Sequence, residues 1–101
     1  SSYGGSGMTI ETNAFYGCTA LREVGIYSRA DSLRIAKNAF SGCKSLKTVT
    51  IKSTKLKASS VGSKAFTKIQ AKATIKVPKG KKTAYKKFLL KKGITKKMKI
   101  K

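Results

Sequence analysis

Residues 10–21 read IETNAFYGCTAL, and the pattern returns 25 residues later as IAKNAFSGCKSL at residues 35–46. A third copy begins VGSKAF at residues 61–66, but it has Lys68 and Ile69 where the earlier copies have Gly and Cys. An apolar pair follows each Phe after nine and eleven residues: Val24 and Ile26, Val49 and Ile51, Ile75 and Val77. A fixed period of this length indicates structural units that stack on one another.

Each copy contains the signals for one strand and one turn. The Val-x-Ile alternation has a period of two, which predicts a short half-buried strand. The Asn-Ala-Phe-x-Gly-Cys segment predicts one helical turn, with Asn as its cap and Gly at a tight reversal. We expect three Phe side chains to point inward from it: Phe15, Phe40 and Phe66. Ile10, Ile35 and Val61 are predicted to begin each unit on a second, shorter extended piece.

One such unit cannot bury its own apolar edge, so equivalent strands should pair in parallel at roughly 4.8 Å spacing. The sequence therefore predicts an α/β fold of stacked coils with a small parallel sheet. Residues 8–78 would form about three repeats, and the Ser- and Gly-rich residues 1–7 would form a flexible linker or a cloning remnant. Residues 79–101 would form a basic C-terminal cap.

The I-x-x-x-A-F-x-G-C-x-x-L-x-x-V-x-I pattern resembles the BspA-like leucine-rich repeats of bacterial cell-surface proteins. The segment at residues 74–87, TIKVPKGKKTAYKK, is similar to the way such arrays end. The resemblance covers Met8 to about Gly93 and implies a right-handed superhelical solenoid, located at the cell surface or secreted and used for binding. It implies no shared catalytic residues.

The cap is predicted to contain an amphipathic helix at about residues 81–92. Pro78 ends the third strand, Gly80 makes a turn, and Gly93 is suited to follow the helix C-terminus. The predicted apolar face consists of Ala84, Tyr85, Phe88 and Leu89. The opposite faces carry a candidate polyanion patch of Lys82, Lys86, Lys87 and Lys91. The alternation Met98-Lys99-Ile100-Lys101 predicts a last strand.

The charge is strongly asymmetric along the chain. The sequence has 24 Lys and Arg against 3 Asp and Glu, a net charge of +21, yet only four of the basic residues precede Ser41. Such a field attracts polyanions without selecting among them. The only arginines, Arg22, Arg29 and Arg34, lie outside the basic half, and aromatic residues are not interleaved with the lysines. This arrangement argues against sequence-specific nucleic-acid recognition.

The sequence predicts no catalytic, cofactor or metal site. It has no His, its three acidic residues are scattered, and no phosphate-binding loop occurs. Cys18 and Cys43 occupy the same position in successive copies. They fit two small core residues stacked in register, or a disulfide if their Cα atoms come within about 7 Å.

The side chains between the apolar strand positions form a candidate concave binding face: Glu23, Gly25, Tyr27, Thr48, Thr50, Lys52, Thr74 and Lys76. We predict a non-catalytic binding or adhesion module whose protein or glycan ligand binds there. One alternative is a polyanion-binding module that uses the lysine-rich half, with an anionic cell-wall polymer or nucleic acid as its partner. Another is a purely structural cap of a longer solenoid. No window of 18 apolar residues exists to span a membrane, and an exposed N-terminal coil edge should favour self-association.

Overall fold

The computed structural model describes residues 7–27 and 32–101; Arg29 and most of the predicted linker lie outside these residues. The strands are β1 (Gly7–Ile10), β2 (Glu23–Ile26), β3 (Ser32–Ile35), β4 (Thr48–Ile51), β5 (Thr74–Lys76) and β6 (Lys99–Ile100). One α-helix, α1 (Lys82–Leu89), lies between β5 and β6, and a 3-10 helix spans Ala58–Ser60.

The strands form two parallel sheets. The main sheet has the order β2-β4-β5-β6, and the small sheet pairs β1 with β3, which Val61 extends by a bridge to Ile35. In the main sheet, Glu23 lies opposite Thr48, Thr48 opposite Thr74, and Thr74 opposite Lys99. The sheet register therefore follows the sequence period, and the predicted strands, short extended pieces and final strand are all present.

The segment between the two sheets is a series of turns, so the predicted helical turn is wrong. Asn13 and Asn38 have φ of 58° and 56°, while Gly17 and Gly42 have φ of 70° and 80°. These Asn residues therefore do not act as helix caps, because a cap residue has extended backbone angles. Asn and Gly are the residues that tolerate this left-handed conformation best.

Hydrogen bonds explain why turns replace the helix. In the first coil, the N–H groups of Ala14, Tyr16 and Cys18 donate within the coil to the carbonyl three residues earlier. The N–H groups of Asn13, Phe15 and Gly17 donate instead to the next coil, at Lys37, Ala39 and Ser41. Alternate N–H groups are thus used between coils, which a helix would not allow.

The Phe residues of the repeat form a stack through the core. The Phe15 and Phe40 ring centroids are 5.2 Å apart, and those of Phe40 and Phe66 are 5.4 Å apart, with nearly parallel planes. Phe40 and Phe66 are fully buried, as predicted, whereas Phe15 remains 40% exposed. Its inward orientation therefore does not bury it, because only one neighbouring coil covers it among the described residues.

Helix α1 packs at the opposite end of the strand stack. Tyr85 and Leu89 are buried, and the Tyr85 hydroxyl donates to Ser53 O at 2.7 Å and accepts from Leu56 N at 3.1 Å. Phe66 N donates to Lys92 O, just as Phe40 N donates to Ala65 O one coil earlier. The chain after α1 thus stands where another coil would stand.

Three details of the predicted helix differ. Helix α1 is shorter than residues 81–92, and Ala84 is exposed, because the buried positions are the pair Tyr85 and Leu89, one helical turn apart, with Phe88 half-buried. Gly93 does not directly follow the helix cap at Leu90. It has φ of 115°, and a Cβ there would lie 2.3 Å from Thr67 N, so close backbone approach requires glycine.

Candidate functional site

The outward face of the main sheet is the surface formed by the side chains that alternate with its buried residues. In β4, Val49 and Ile51 are buried, while Thr48 and Thr50 are half-buried on the other side. Ile75 and Ile100 continue the buried row in β5 and β6. This alternation places the predicted candidates of each strand on one face, because successive side chains in a strand point to opposite sides.

Strand register brings the predicted residues into rows across this outward face. One row contains Glu23, Thr48 and Thr74, and the next contains Gly25, Thr50 and Lys76. Lys52 follows β4 beside the end of β2, because its N–H donates to Ile26 O at 2.8 Å. The three threonines lie in the middle of this surface.

Tyr27 lies across the outward face at its first strand. An ideal Cβ built on Gly25 would be 2.2 Å from Tyr27 Cε2 and 2.7 Å from its hydroxyl oxygen. The ring therefore occupies the space above Gly25, and it is 65% exposed. A glycine at position 25 lets the ring lie close to the strand, and the sequence pattern alone gave no sign of this pairing.

The outward face includes two lysines that were not among the residues predicted from the sequence. Lys99 lies opposite Thr74, and the backbone of Lys101 pairs with β5 through bonds to Ile75 O and Val77 N. Alternation in residues 98–101 predicted the strand, but not that it would join this sheet. The outward face consequently changes from Glu23 and Tyr27 at its first strand to lysines at its last.

The predicted polyanion patch separates into two parts. Lys82 and Lys86 line a cleft of about 310 Å³ between α1 and the C-terminal strand. The same cleft is lined by Lys99, Lys101, Met98 and Ile100. Lys87 and Lys91 do not line it. The structure thus joins half of the predicted patch to the basic end of the outward face.

The reactive side chains in the core have structural roles. Cys18 and Cys43 are free thiols, and Cys43 Sγ donates to Phe15 O at 3.0 Å. Burial raises the pKa of the Cys43 thiol, although a hydrogen bond from the Cys18 backbone acts in the opposite direction, and burial also raises the pKa of Tyr85. Both shifts favour the protonated, unreactive form.

The described residues contain neither a metal-ligand cluster nor a membrane-spanning helix. No group of three or more His, Cys, Asp and Glu side chains comes together within residues 7–27 and 32–101. In the same part of the chain, no helix has the length and apolar character needed to cross a bilayer.

Comparison with known proteins gives one family. The family model for the BspA type leucine rich repeat region, which has six copies, matches residues 6–100. The match therefore includes α1 and β6 as well as the repeats recognisable by eye. No curated protein and no solved structure matches the chain.

Proposed function

Because the chain belongs to the BspA-type leucine-rich repeat family, we propose that it is a non-catalytic binding module whose ligand binds the outward face of the main sheet. The family is one of repeat proteins that serve as interaction modules. In this proposal the strand stack is a short right-handed solenoid, exposed at the cell surface or secreted, and its role is adhesion to a protein or glycan. We interpret α1 and β6 as the cap that covers the solenoid core.

The observation that carries this proposal is the placement of Tyr27. Its ring lies over Gly25, and the residue is 65% exposed beside rows of threonines. Tyrosine provides a large contact area with only two side-chain torsions to fix, and it is enriched where proteins bind partners. The stability of the fold does not require a tyrosine at so exposed a position.

The cap interpretation is supported by how α1 is fixed. Its Tyr85 hydroxyl connects two backbone groups of residues 53–56, and Leu89 is fully buried in the same core cluster as Phe66. Helix α1 would then serve stability, and the outward face would remain available for a ligand.

Two substitutions test the outward face. Tyr27→Ala removes the ring, whereas Gly25→Ala keeps the tyrosine but forces it away from the strand, because the new Cβ would meet the ring. Binding of the full chain to immobilised laminin and collagen is measured at about 50 and 300 mM salt. We expect binding that persists at high salt and is lost in both variants, while the midpoint of urea unfolding changes little. Thr83→Ala, at an exposed position on α1, is the control.

Polyanion binding is a second candidate function, supported by the 20 lysines and the lack of any acidic residue from Ser41 onward. Purified wall polymer and duplex DNA are the probes for it. A polyanion complex should weaken steeply between the two salt concentrations, because binding releases counterions. Tyr27→Ala should leave such a complex unchanged. Retention of wild-type affinity for every protein probe in both outward-face variants would contradict the first proposal.

A further inference from the structure

We propose that the cleft between α1 and β6 is a discrete binding site for a phosphate or sulfate ester carried by a saccharide or polyol polymer. This inference rests on the polyanion-binding function and assigns it to one site. It differs from diffuse attraction because it predicts that four particular lysines act together, while other lysines of equal charge do not.

Two rigid elements hold these four lysines around one opening. Lys82 and Lys86 lie one helical turn apart on α1, so both face the same side. Lys99 and Lys101 flank Ile100, whose burial points both lysines to the opposite side of β6. All four lysine residues line the cleft of about 310 Å³.

The backbone of both elements is anchored. Lys101 N donates to Ile75 O at 2.8 Å, and Val77 N donates to Lys101 O at 2.9 Å. Tyr85 and Leu89 fix α1 to the core from its buried side. The ammonium groups are long and flexible, but their points of attachment are fixed, which reduces the entropy lost when they converge on a ligand.

The cleft has no acidic residue to balance these charges. No Asp or Glu occurs in residues 32–101, so no acidic side chain from this part of the chain offsets the charge of the four lysines. Like charges in one cleft repel, and an anion that binds between them removes that repulsion. A group with several negative oxygens matches four donors better than a single carboxylate does.

The cleft is lined by two apolar residues as well as the lysines, which favours an anion attached to a carbon framework. These two residues, Met98 and Ile100, are each only 8% exposed. Met98 Sδ also accepts from Thr95 N at 3.5 Å, which holds the side chain in place. A volume of about 310 Å³ exceeds what one phosphate or sulfate needs and leaves space for an attached sugar or polyol unit.

The chain provides a matched control. Lys87 and Lys91 are also four residues apart and exposed, but they do not line the cleft. Lys82→Gln/Lys86→Gln and Lys87→Gln/Lys91→Gln therefore remove the same charge. A third double variant, Lys99→Gln/Lys101→Gln, tests the other side of the cleft.

Calorimetric titration uses a glycerol-phosphate polymer and a heparin hexasaccharide as probes at about 150 mM salt. We expect each cleft variant to lose about tenfold in affinity or more, and the Lys87/Lys91 variant to lose less than about threefold. A loss confined to the two cleft variants, with one probe or both, would support the site and identify the ester it accepts. Equal losses in all three variants would overturn the discrete site while leaving polyanion binding intact. Failure of the wild-type chain to bind either probe at about 50 mM salt would overturn both.

A second measurement uses only the wild-type chain, so it does not depend on whether the variants fold. Inorganic tripolyphosphate is added to the wild-type chain, and the methyl resonance of Met98 is followed by NMR together with the backbone amides. A saturable shift at Met98 and at residues 99–101 supports the site. Shifts spread evenly over all lysine-rich segments, with Met98 unchanged, would overturn it.

Discussion

The first and second coils have almost the same sequence but very different surroundings. Phe15 is 40% exposed and its equivalent Phe40 is fully buried, while Tyr16 is 60% exposed and its equivalent Ser41 only 8%. Ala14 is exposed and Ala39 is buried. The second coil has neighbours on both sides, whereas the first has one among the described residues. The same residue types thus contribute differently to stability according to their place in the stack.

The third coil extends the comparison. It retains the stacked Phe66 and the buried Ala65, but it has Lys64 and Lys68 at the positions of Asn38 and Gly42. Both lysines keep the left-handed backbone, with φ of 57° and 61°. The stack therefore imposes its turn geometry even on residues that disfavour it, because N–H groups of the second coil donate to the carbonyls of the adjacent residues Ser63, Ala65 and Thr67.

The largest expected effect comes from truncating the ring stack at its centre. Phe40→Ala should lower the free energy of unfolding by about 3–5 kcal/mol, since the ring is fully buried between two others. Phe15→Ala should cost only about 1–2 kcal/mol, because part of its ring already contacts solvent. Urea unfolding of both variants measures the difference. Equal losses would show that the two coils are equivalent in solution.

Removing the Tyr85 hydroxyl tests the end of the stack where α1 packs. Tyr85→Phe should cost about 1–3 kcal/mol, because Ser53 O and Leu56 N lose their partner in a buried place. Thermal unfolding followed by circular dichroism gives the value. Tyr16→Phe, at an exposed position of the first coil, is the control and should have no measurable effect.

The same hydroxyl predicts a pH dependence. Burial raises the pKa of Tyr85 above its ordinary value of about 10. Its contribution to stability should therefore be complete below pH about 10 and should be lost as the pH rises through the folded-state pKa, because the unfolded chain releases the proton first. We therefore measure the difference in unfolding free energy between wild type and Tyr85→Phe from pH 8 upward. This difference should shrink as the pH rises. A difference that grows would contradict the assignment.

The two cysteines should differ in reactivity, because they occupy the same position in coils with different surroundings. Cys18 is half-buried, whereas Cys43 is fully buried and burial raises the pKa of its thiol. We expect Cys18 to react with a thiol-specific disulfide reagent at least about tenfold faster than Cys43. Mass spectrometry of the labelled peptides distinguishes the two positions. Similar rates under native conditions would mean that the first two coils open together.

The smallest expected change is a gain in stability. Lys68→Gly should raise the free energy of unfolding by about 0.5–1 kcal/mol, because glycine adopts the left-handed conformation without the steric cost that lysine has there. Lys44→Gly, at an exposed position with ordinary backbone angles, should lower it by a similar amount. Both values come from urea unfolding, and a loss in Lys68→Gly would show that the lysine side chain has a stabilising contact.

Much of the fold could be predicted because the repeat appears directly in the sequence. The Val-x-Ile pairs predicted the main-sheet strands, and the period predicted their register. The turn segment could not be predicted in this way, since Asn and Gly are suited both to helix ends and to left-handed turns. Only the bonds to the next coil decide between these alternatives.

The candidate site was predictable to a smaller extent. Alternation placed Thr48, Thr50 and Thr74 on one face, because side-chain direction in a strand is a local property. The contact of Tyr27 with Gly25 and the grouping of Lys82 and Lys86 with Lys99 and Lys101 depend on how separate elements meet. Spacing along the chain contains no information on such contacts.

The sequence by itself determined the repeat, the buried side of each strand and the asymmetry of charge, because each depends on residue type and periodicity within one coil. The tertiary structure decided which equivalent residues are buried, which backbone N–H groups pair between coils and which lysines share a cleft. Burial and electrostatic grouping depend on neighbours in space, and identical coils acquire different neighbours only once they are stacked.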